Sequence, residues 1–167
     1  MGGKSNLYRD LILMSTDTRA AFLPTEITQV TKNIYLGGYD NVSSGEFRRH
    51  GFAYILNLSQ MAYRAEGVKV ISLNVEDSPR QNISQYFKRF NALLDHCEKS
   101  DKKILVHCVA GVNRSGAAVL SYLISKKPED VDMLIYFLFI YHLLKRKRGA
   151  FVENAAFREQ IVSYYVA

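Results

Sequence analysis

Lys103-Ile-Leu-Val-His-Cys-Val-Ala-Gly-Val-Asn-Arg-Ser-Gly116 runs from an apolar strand through a short loop into an apolar helix. Residues 104–106 have the continuous apolar character of a strand buried on both faces, and residues 117–120 continue as a buried helix. In open α/β sheets, ligands bind where the carboxyl end of a strand is followed by a helix. The segment therefore predicts both the fold class and the place of a functional site.

Short β-rich runs alternate with helical segments over the rest of the chain. This alternation predicts an α/β fold, a single domain with a mostly parallel central sheet of about five strands flanked by helices. Strands are predicted at 26–30, 34–36, 53–56, 68–73 and 103–107, and helices at 43–50, 82–98, 114–125, 128–147 and 154–165.

Length and composition fit one compact domain. The 167 residues are 48% hydrophobic and 23% charged, which excludes disordered and collagen-like chains. A net charge of +6 favours an anionic partner without identifying it. Cys97 and Cys108 are too few for a disulfide framework, so a reducing compartment is predicted. We expect Cys97, which lies among acidic residues in a predicted helix, to be structural.

A phosphate-binding loop is predicted between the strand and the helix. Its backbone N–H groups can converge on one point, and the helix adds the positive end of its dipole, which together suit a tetrahedral dianion. Glycine in this loop permits a backbone conformation that other residues resist. The loop comprises Val109, Ala110, Gly111, Val112, Asn113 and Arg114.

Cys108, at the base of this loop, is the predicted nucleophile. The N–H groups and the helix dipole favour its thiolate form, which is the reactive species. Arg114 offers a planar fork that can bind two phosphoryl oxygens at once. The hydroxyl of Ser115 is placed to bond to the sulfur and to help it leave when a phosphocysteine is hydrolysed. His107 is expected to orient the loop.

Hydrolysis of a phosphate ester also needs a proton donor for the leaving group. Asp77 is the candidate because it lies in a loop marked by Pro79, between a predicted strand and an amphipathic helix. Glu76 is the competing assignment, and a charge that merely lies near a helix start is the alternative without a catalytic role. No His/Cys/Asp cluster has metal-ligand spacing, and the chemistry needs no metal or other cofactor.

The pattern His-Cys-x5-Arg-Ser at 107–115 resembles the signature of cysteine-dependent protein tyrosine phosphatases. Ala110-Gly111 and the short chain are similar to the dual-specificity branch of that family. Segments 110–116 and 149–154 resemble the small phosphatases encoded by poxviruses, those of parapoxviruses in particular. Asn113 stands where cellular relatives more often have serine, and we expect the difference to matter little if the position mainly supplies a backbone N–H.

The resemblance implies hydrolysis of phosphotyrosine and phosphoserine/threonine in proteins through a phosphocysteine intermediate. It implies a viral enzyme that acts on viral and host signalling phosphoproteins in the virion and the host-cell cytoplasm. The place of Asp77 matches that of the family's acid. Asn154 matches a family asparagine that braces the phosphate loop, and an N-cap of the last helix is the equally open alternative.

Two other functions remain open at this point. One is a phosphoinositide or RNA-end phosphatase using the same loop, against which the apolar Val109 and Val112 argue, since lipid-directed relatives tend to place lysines there. The other is a non-catalytic phosphate-binding module, which the presence of Cys108, Arg114 and Asp77 disfavours. No nucleic-acid partner is expected.

Residues 1–22 are predicted to form an N-terminal helix and linker, followed by a catalytic domain at 23–167. The helix is predicted at 5–14, capped by Ser5, with Leu7, Leu11 and Met14 along one face that must find a surface. That surface is the body of the chain or a partner, and the resemblance implies a homodimer through this helix.

No signal peptide or transmembrane segment is expected. The longest apolar run, Met133 to Leu144, is too short to span a bilayer and predicts a buried core helix, with a membrane-surface anchor as the alternative. It ends in Lys145, Arg146, Lys147 and Arg148, which are either a solvated helix end followed by the terminating Gly149 or a functional basic patch.

Overall fold

The computed structural model describes residues 2–18 and 22–166. Within these residues, five strands form one sheet, and six α-helices flank it. The strands are β1 (Thr28–Gln29), β2 (Ile34–Gly38), β3 (Tyr54–Asn57), β4 (Lys69–Ser72) and β5 (Ile104–Cys108). The helices are α1 (Gly2–Thr16), α2 (Tyr39–Ser43), α3 (Phe87–Lys99), α4 (Arg114–Ser125), α5 (Met133–Arg148) and α6 (Ala155–Tyr165).

The sheet has the strand order β1-β2-β5-β3-β4 and is parallel except for β1. β5 lies in the centre, paired on one side with β2 and on the other with β3, and all of its residues are buried. Its apolar side chains bury both faces of the strand, as a central parallel strand requires. The predicted α/β fold is confirmed, and Cys108 stands at the carboxyl edge of the central strand.

Three predicted helices of the body differ from the structure at their starts or ends. The helix predicted at 82–98 begins as a 3-10 helix at Ile83–Tyr86, and α3 starts only at Phe87. The predicted helix at 43–50 is split, since α2 ends at Ser43 and a 3-10 turn begins at Glu46 after Gly45, whose φ is 82°. α5 begins at Met133 rather than at 128, because the Asp132 side chain caps it by accepting hydrogen bonds from the N–H groups of Leu134 and Ile135.

α1 corrects the prediction for the N-terminal helix. It begins at Gly2, so Ser5 is not its cap, and the Ser5 hydroxyl instead donates to the carbonyl of Val166. The face that packs on the body contains the fully buried Ile12, while Leu7 is 54% and Met14 is 73% exposed. Residues 1 and 19–21 of the predicted arm lie outside the described residues.

α5 is buried on one face and exposed on the other. The prediction of a buried core helix is therefore wrong for the exposed face. Phe137, Tyr141 and Leu144 are buried. Ile135 is 67% and Phe139 is 64% exposed, because α1 and α4 cover α5 from one side. Among residues 2–18 and 22–166, no helix is long and apolar enough to cross a membrane.

The four basic residues that end α5 do not form one surface. Lys145 is buried, pairs with Glu153 at 3.2 Å and donates to the carbonyl of Thr18. Arg148 is 2% exposed and points under the phosphate loop, whereas Arg146 and Lys147 are exposed. Both predictions for this cluster therefore fail for its buried half, since neither a solvated end nor a surface patch describes these two side chains.

Candidate active site

The predicted phosphate loop connects the end of β5 to the start of α4. Gly111 has a φ of +70°, and a Cβ there would lie 2.6 Å from the carbonyl oxygen of Gly37. Only glycine combines this left-handed conformation with so close an approach of two backbone segments. The expected special conformation at Gly111 is thus confirmed, and it turns the loop back over the end of the central strand.

Cys108 and Ser115 lie together under the loop. The Cys108 sulfur is 3.1 Å from the Ser115 hydroxyl oxygen, and the two residues are 2% and 0% exposed. Cys108 is not part of a disulfide. The sulfur thus lies buried beside a hydroxyl, at the end of the central strand and directly before the loop that leads into α4.

Arg114 is held by neighbours on two other loops. It is 6% exposed, and its Nη1 donates to the carbonyl of Val75 at 3.1 Å and to the side chain of Gln60 at 3.4 Å. Its Nε–H is buried and has no acceptor among the described residues. Because buried donors are rarely left unpaired and a guanidinium fork suits phosphate, this side chain is fit to bind an anion.

His107 is held as a neutral ring between two partners. Its Nδ1 lies 3.0 Å from the carbonyl oxygen of Cys108, which can only accept, so Nδ1 carries the proton and Nε2 accepts from the Tyr63 hydroxyl at 2.6 Å. Burial, with a smaller contribution from the charge of Arg114, lowers the pKa of His107 to about 4. Burial also raises the pKa of Tyr63. A neutral ring with a hydrogen bond at each of its two nitrogens orients the end of β5.

Asp77 reaches the phosphate loop through amide side chains. The Asn113 Nδ2 lies 3.2 and 3.0 Å from the two carboxylate oxygens of Asp77, and the Asn154 Nδ2 lies 3.3 Å from one of them. The carboxylate in this cluster is that of Asp77 and not that of the neighbouring Glu76. The expectation that Asn113 matters little is corrected, because its side chain connects two loops.

Asn154 has both of the proposed structural roles, through different atoms. Its Oδ1 accepts from the N–H groups of Ala156 and Phe157 and caps α6. Its contact with the phosphate loop is made by its backbone N–H, which donates to the Asn113 Oδ1 at 2.9 Å. The asparagine thus joins the start of α6 to the loop and to the Asp77 carboxylate at once.

Three residues near the site are not predicted from the sequence as site residues, namely Tyr63, Gln60 and Arg148. Tyr63 and Gln60 lie in an irregular segment after β3, where no periodic pattern marks them. Arg148 donates through Nε to the carbonyl of Gly111 at 3.2 Å and through Nη1 to Thr28 at 3.1 Å. Burial lowers its pKa to about 10, and the nearby charge of Cys108 opposes that shift.

The remaining loop and cysteine residues are placed as follows. Val109 is 51% exposed on the loop, and Val112 is buried. Cys97 is fully buried in α3, where burial and then the charge of Glu98 raise its pKa to about 11. The expectation that Cys97 is a packed thiol is confirmed, with burial as the larger cause. Buried Val112 carries no information about substrates, so one of the two arguments against a lipid substrate is lost.

Comparison with known proteins gives a consistent family. Residues 34–167 match the family described as "Dual specificity phosphatase, catalytic domain". The chain is 45% identical over 166 residues to dual specificity protein phosphatase OPG106 of variola virus, covering 98% of this chain and 96% of the relative. It is 38% identical over 165 residues to a probable dual specificity protein phosphatase H1 homolog of fowlpox virus, covering 98% and 99%.

A solved structure extends the likeness to three dimensions. OH1 from the Orf virus, described as a tyrosine phosphatase with distinct structural features and triple substrate specificity, is similar with a TM-score of 0.88 and 32% identity. The similarity covers 96% of this chain and 98% of OH1. The predicted kinship with poxvirus phosphatases is confirmed, and assignment to parapoxviruses stays a prediction. A matching family over most of the chain and close relatives over nearly all of it show that the chain belongs to the dual specificity phosphatases.

Proposed function

We propose that this dual specificity protein phosphatase hydrolyses phosphotyrosine and phosphoserine/threonine in proteins through a phosphocysteine at Cys108. The observation that carries the proposal is the buried pair of Cys108 and Ser115, 3.1 Å apart beneath a loop whose backbone is folded back at Gly111. The nucleophile, the group that helps it leave and the oxyanion cradle then occupy one strand-to-helix connection.

In the first step, the Cys108 thiolate attacks phosphorus and a sulfur–phosphorus bond forms. Arg114 and the backbone N–H groups of residues 109–114 bind the phosphoryl oxygens as charge develops on them. The bond from phosphorus to the substrate oxygen breaks, and Asp77 donates its proton to that oxygen. The product of this step is a phosphocysteine, an alcohol or phenol, and an ionised Asp77.

In the second step, water attacks the phosphocysteine. The Asp77 carboxylate accepts a proton from this water, and the phosphorus–sulfur bond breaks. The Ser115 hydroxyl donates a hydrogen bond to the departing sulfur, which leaves as a thiolate. Neutral His107 transfers no proton in either step, because its single N–H is used by the Cys108 carbonyl; its role is to orient the loop.

The absence of a pocket-deepening segment and the exposed Val109 favour protein substrates of both classes. The chain lacks the Asn-Arg-Tyr tripeptide that resemblance associates with the deeper pocket of tyrosine-specific enzymes. Val109, half exposed on the loop, presents an apolar surface beside the phosphate site. A shallow, partly apolar site admits a short phosphoserine as well as a long phosphotyrosine. We infer that viral and host signalling phosphoproteins are the substrates.

Phosphoinositide hydrolysis is the second candidate activity. The Orf virus relative OH1 is described as having triple substrate specificity, which extends beyond two classes of substrate. In this chain Val112 is buried, so its apolar character does not oppose a lipid headgroup. Exposed Val109 still supplies no charge for an inositol phosphate, and on that ground the protein substrates are the primary proposal.

A side-by-side assay tests both candidates. Phosphotyrosine peptide, phosphothreonine peptide, phosphoinositides and triphosphorylated RNA are offered to the wild type, to Cys108→Ser and to Cys97→Ala. We expect the wild type to turn over both peptides and Cys108→Ser to lose all activity. Cys97→Ala should retain its activity, because Cys97 is buried on the inner face of α3, in the hydrophobic core. Activity that survives Cys108→Ser contradicts the mechanism, and turnover of RNA or lipid alone contradicts the protein substrates.

We also infer a homodimer through α1. Its outer face carries the exposed Leu7 and Met14, and the neighbouring α5 carries the exposed Ile135 and Phe139. Exposed apolar groups on adjacent helices favour association. Deleting α1 would uncover the core around Ile12, so Leu7→Glu with Met14→Glu is the sharper test. Sedimentation should change from dimer to monomer, and an unchanged dimer or a monomeric wild type contradicts the inference.

The proposed compartments are the virion and the host-cell cytoplasm. A reducing environment suits the mechanism, because oxidation of Cys108 removes the thiolate that attacks phosphorus. Immunodetection of the chain in purified virions and in cytoplasmic fractions of infected cells tests the proposal. Detection only in oxidising compartments would contradict it.

A further inference from the structure

The side chain of Asn113 has a fixed orientation at the junction of three segments. Its Oδ1 accepts from the backbone N–H of Asn154 at 2.9 Å, and a backbone N–H can only donate. The amide oxygen is therefore assigned to that end, and the Nδ2 hydrogens must point to the other end. There they meet the Asp77 carboxylate, with both oxygens within 3.2 Å of Nδ2.

The second amide at this junction is fixed in the same way. The Asn154 Oδ1 is occupied by the N–H groups that it caps at the start of α6, so its Nδ2 also faces Asp77. Two amide donors, each oriented by backbone groups that cannot reverse, thus converge on one carboxylate. Residues on the phosphate loop and at the start of α6 in this way hold a side chain of a third loop.

Serine at position 113 could not make this junction. A hydroxyl on Cβ can donate and accept at the same time, but it is one bond shorter than the asparagine amide and lacks the two separate atoms that face opposite ends of the junction. It could not bond the Asn154 N–H on one side and the Asp77 carboxylate on the other. The asparagine thus provides a connection from the phosphate loop to the acid that the backbone N–H alone does not.

The direction of these hydrogen bonds matters for the reaction. Asp77 is neutral before it donates its proton and ionised afterwards, so negative charge grows on its oxygens during the first step. An N–H donor already aimed at those oxygens binds the ionised form more strongly than the neutral one. Interactions that strengthen as the reaction proceeds lower the barrier, whereas interactions equal in both states do not.

We propose that Asn113 is a positioning residue for leaving-group protonation, which holds Asp77 beside the phosphate loop and stabilises the charge that develops on it. The inference rests on the proposed role of Asp77 as general acid. Asn154, whose Nδ2 also faces the Asp77 carboxylate, supports this positioning as a second donor. Asn113 acts through Asp77 and does not itself exchange a proton with the substrate.

The test compares substrates whose leaving groups differ in acidity. Asn113→Ala and Asn113→Ser are assayed with p-nitrophenyl phosphate, which has an acidic phenol, and with a phosphotyrosine peptide, which has a weakly acidic one. We expect kcat to fall about tenfold on the peptide and less than about twofold on p-nitrophenyl phosphate, since one hydrogen bond to a charged group is removed. KM should change less than kcat.

A double substitution separates this role from damage to the loop. If Asn113 acts only through Asp77, Asn113→Ala in an Asp77→Asn background should cost less than about twofold more than Asp77→Asn alone. Asn113→Asp, which keeps the size and the acceptor but replaces the donor by a negative charge, should lose more than Asn113→Ala. Thermal unfolding of each variant confirms that the comparison is made on folded protein.

Each outcome decides the inference. Equal losses on both substrates, or a full additional loss in the Asp77→Asn background, would mean that Asn113 merely shapes the loop and would overturn the proposal. If Asp77→Asn itself loses equally on both substrates, the assignment of the general acid fails, and this failure is distinguishable because it does not involve Asn113 variants.

Discussion

The guanidinium of Arg148, the last residue of α5, donates through Nε to the carbonyl oxygen of Gly111 at 3.2 Å. Arg148 is 2% exposed, so a buried cation from a distant helix supports the loop at the glycine where the chain reverses. The loop is therefore held from below by α5 as well as from its two ends.

Removing the side chain of Arg148 should lower both the stability and the activity of the enzyme, although Arg148 lies beneath the loop and not beside the substrate. Arg148→Met keeps most of the volume but leaves the Gly111 carbonyl without its donor, at a cost of about 1–3 kcal/mol. We expect a reduced free energy of unfolding and a loss of about tenfold in kcat/KM. Arg146→Met, on the exposed side of the same helix, is the control. Equal behaviour of the two variants would contradict the role of Arg148.

Ser115 should act mainly in the second step. Ser115→Ala removes the hydroxyl that lies 3.1 Å from the Cys108 sulfur. The phosphocysteine should still form but break down about 10²-fold more slowly, the effect of losing one donor to a developing charge. Stopped-flow measurement should then show a burst of released phenol followed by slow turnover. A slow reaction without a burst would place Ser115 in the first step.

His107 should make the stability of the protein depend on pH. Its pKa is about 4 in the fold and 6.5 in its ordinary state, so below the ordinary value the unfolded chain binds a proton that the folded chain excludes. Stability is complete above the ordinary pKa and is lost as the pH falls toward the folded one, by up to about 3 kcal/mol. Urea unfolding across this range should show the loss, and His107→Asn should flatten it. An unchanged pH slope in that variant would contradict the neutral, buried ring.

Substitutions at Asn154 can separate the two roles of its side chain, the cap of α6 and the hydrogen bond to Asp77. Asn154→Asp retains the oxygen that caps α6 but loses the donor to Asp77, whereas Asn154→Ala loses both. We expect Asn154→Ala to lower the free energy of unfolding by about 1 kcal/mol and Asn154→Asp to lower it little. Both should reduce turnover of a phosphotyrosine peptide. Equal stabilities of the two variants would exclude the cap as a measurable contribution.

The parts of the site that are contiguous in sequence could be predicted from it. β5, the loop and the start of α4 are one uninterrupted segment, and the alternation of apolar and special residues there reports the local structure directly. Ser115 lies seven residues from Cys108, within that segment. The position of the loop between β5 and α4, and that of Cys108 at its base, can therefore be predicted from the sequence, and the role of Cys108 as nucleophile stays a prediction.

The parts that depend on distant segments could not be predicted. Asn113 meets Asp77 across 36 residues, Tyr63 meets His107 across 44, and Arg148 meets Gly111 across 37. No local pattern encodes such pairs, because they arise only when the sheet brings the loops together. For Asn113 the sequence consequently predicts a contribution of the backbone N–H only, and it does not reveal the contact of the side chain with Asp77.

The sequence also predicts the wrong packing face for α1, for a related reason. α1 carries one apolar face with Leu7 and Met14 and another with Tyr8 and Ile12, and sequence periodicity alone does not say which one packs. The structure buries Ile12 and joins Tyr8 to Asp132 at the start of α5. Tertiary contacts therefore decide which of the two apolar faces of α1 packs on the body of the chain.

The most direct test of the mechanism is to isolate the covalent intermediate. Rapid acid quenching of Ser115→Ala during turnover of a phosphotyrosine peptide, followed by proteolysis and mass spectrometry, should find one phosphoryl group on the peptide that contains Cys108. The same experiment on Cys108→Ser should find none, and the peptide that contains Cys97 should stay unmodified. A Ser115→Ala enzyme that turns over substrate with no phosphoryl group on Cys108, or with one on another residue, would contradict the account.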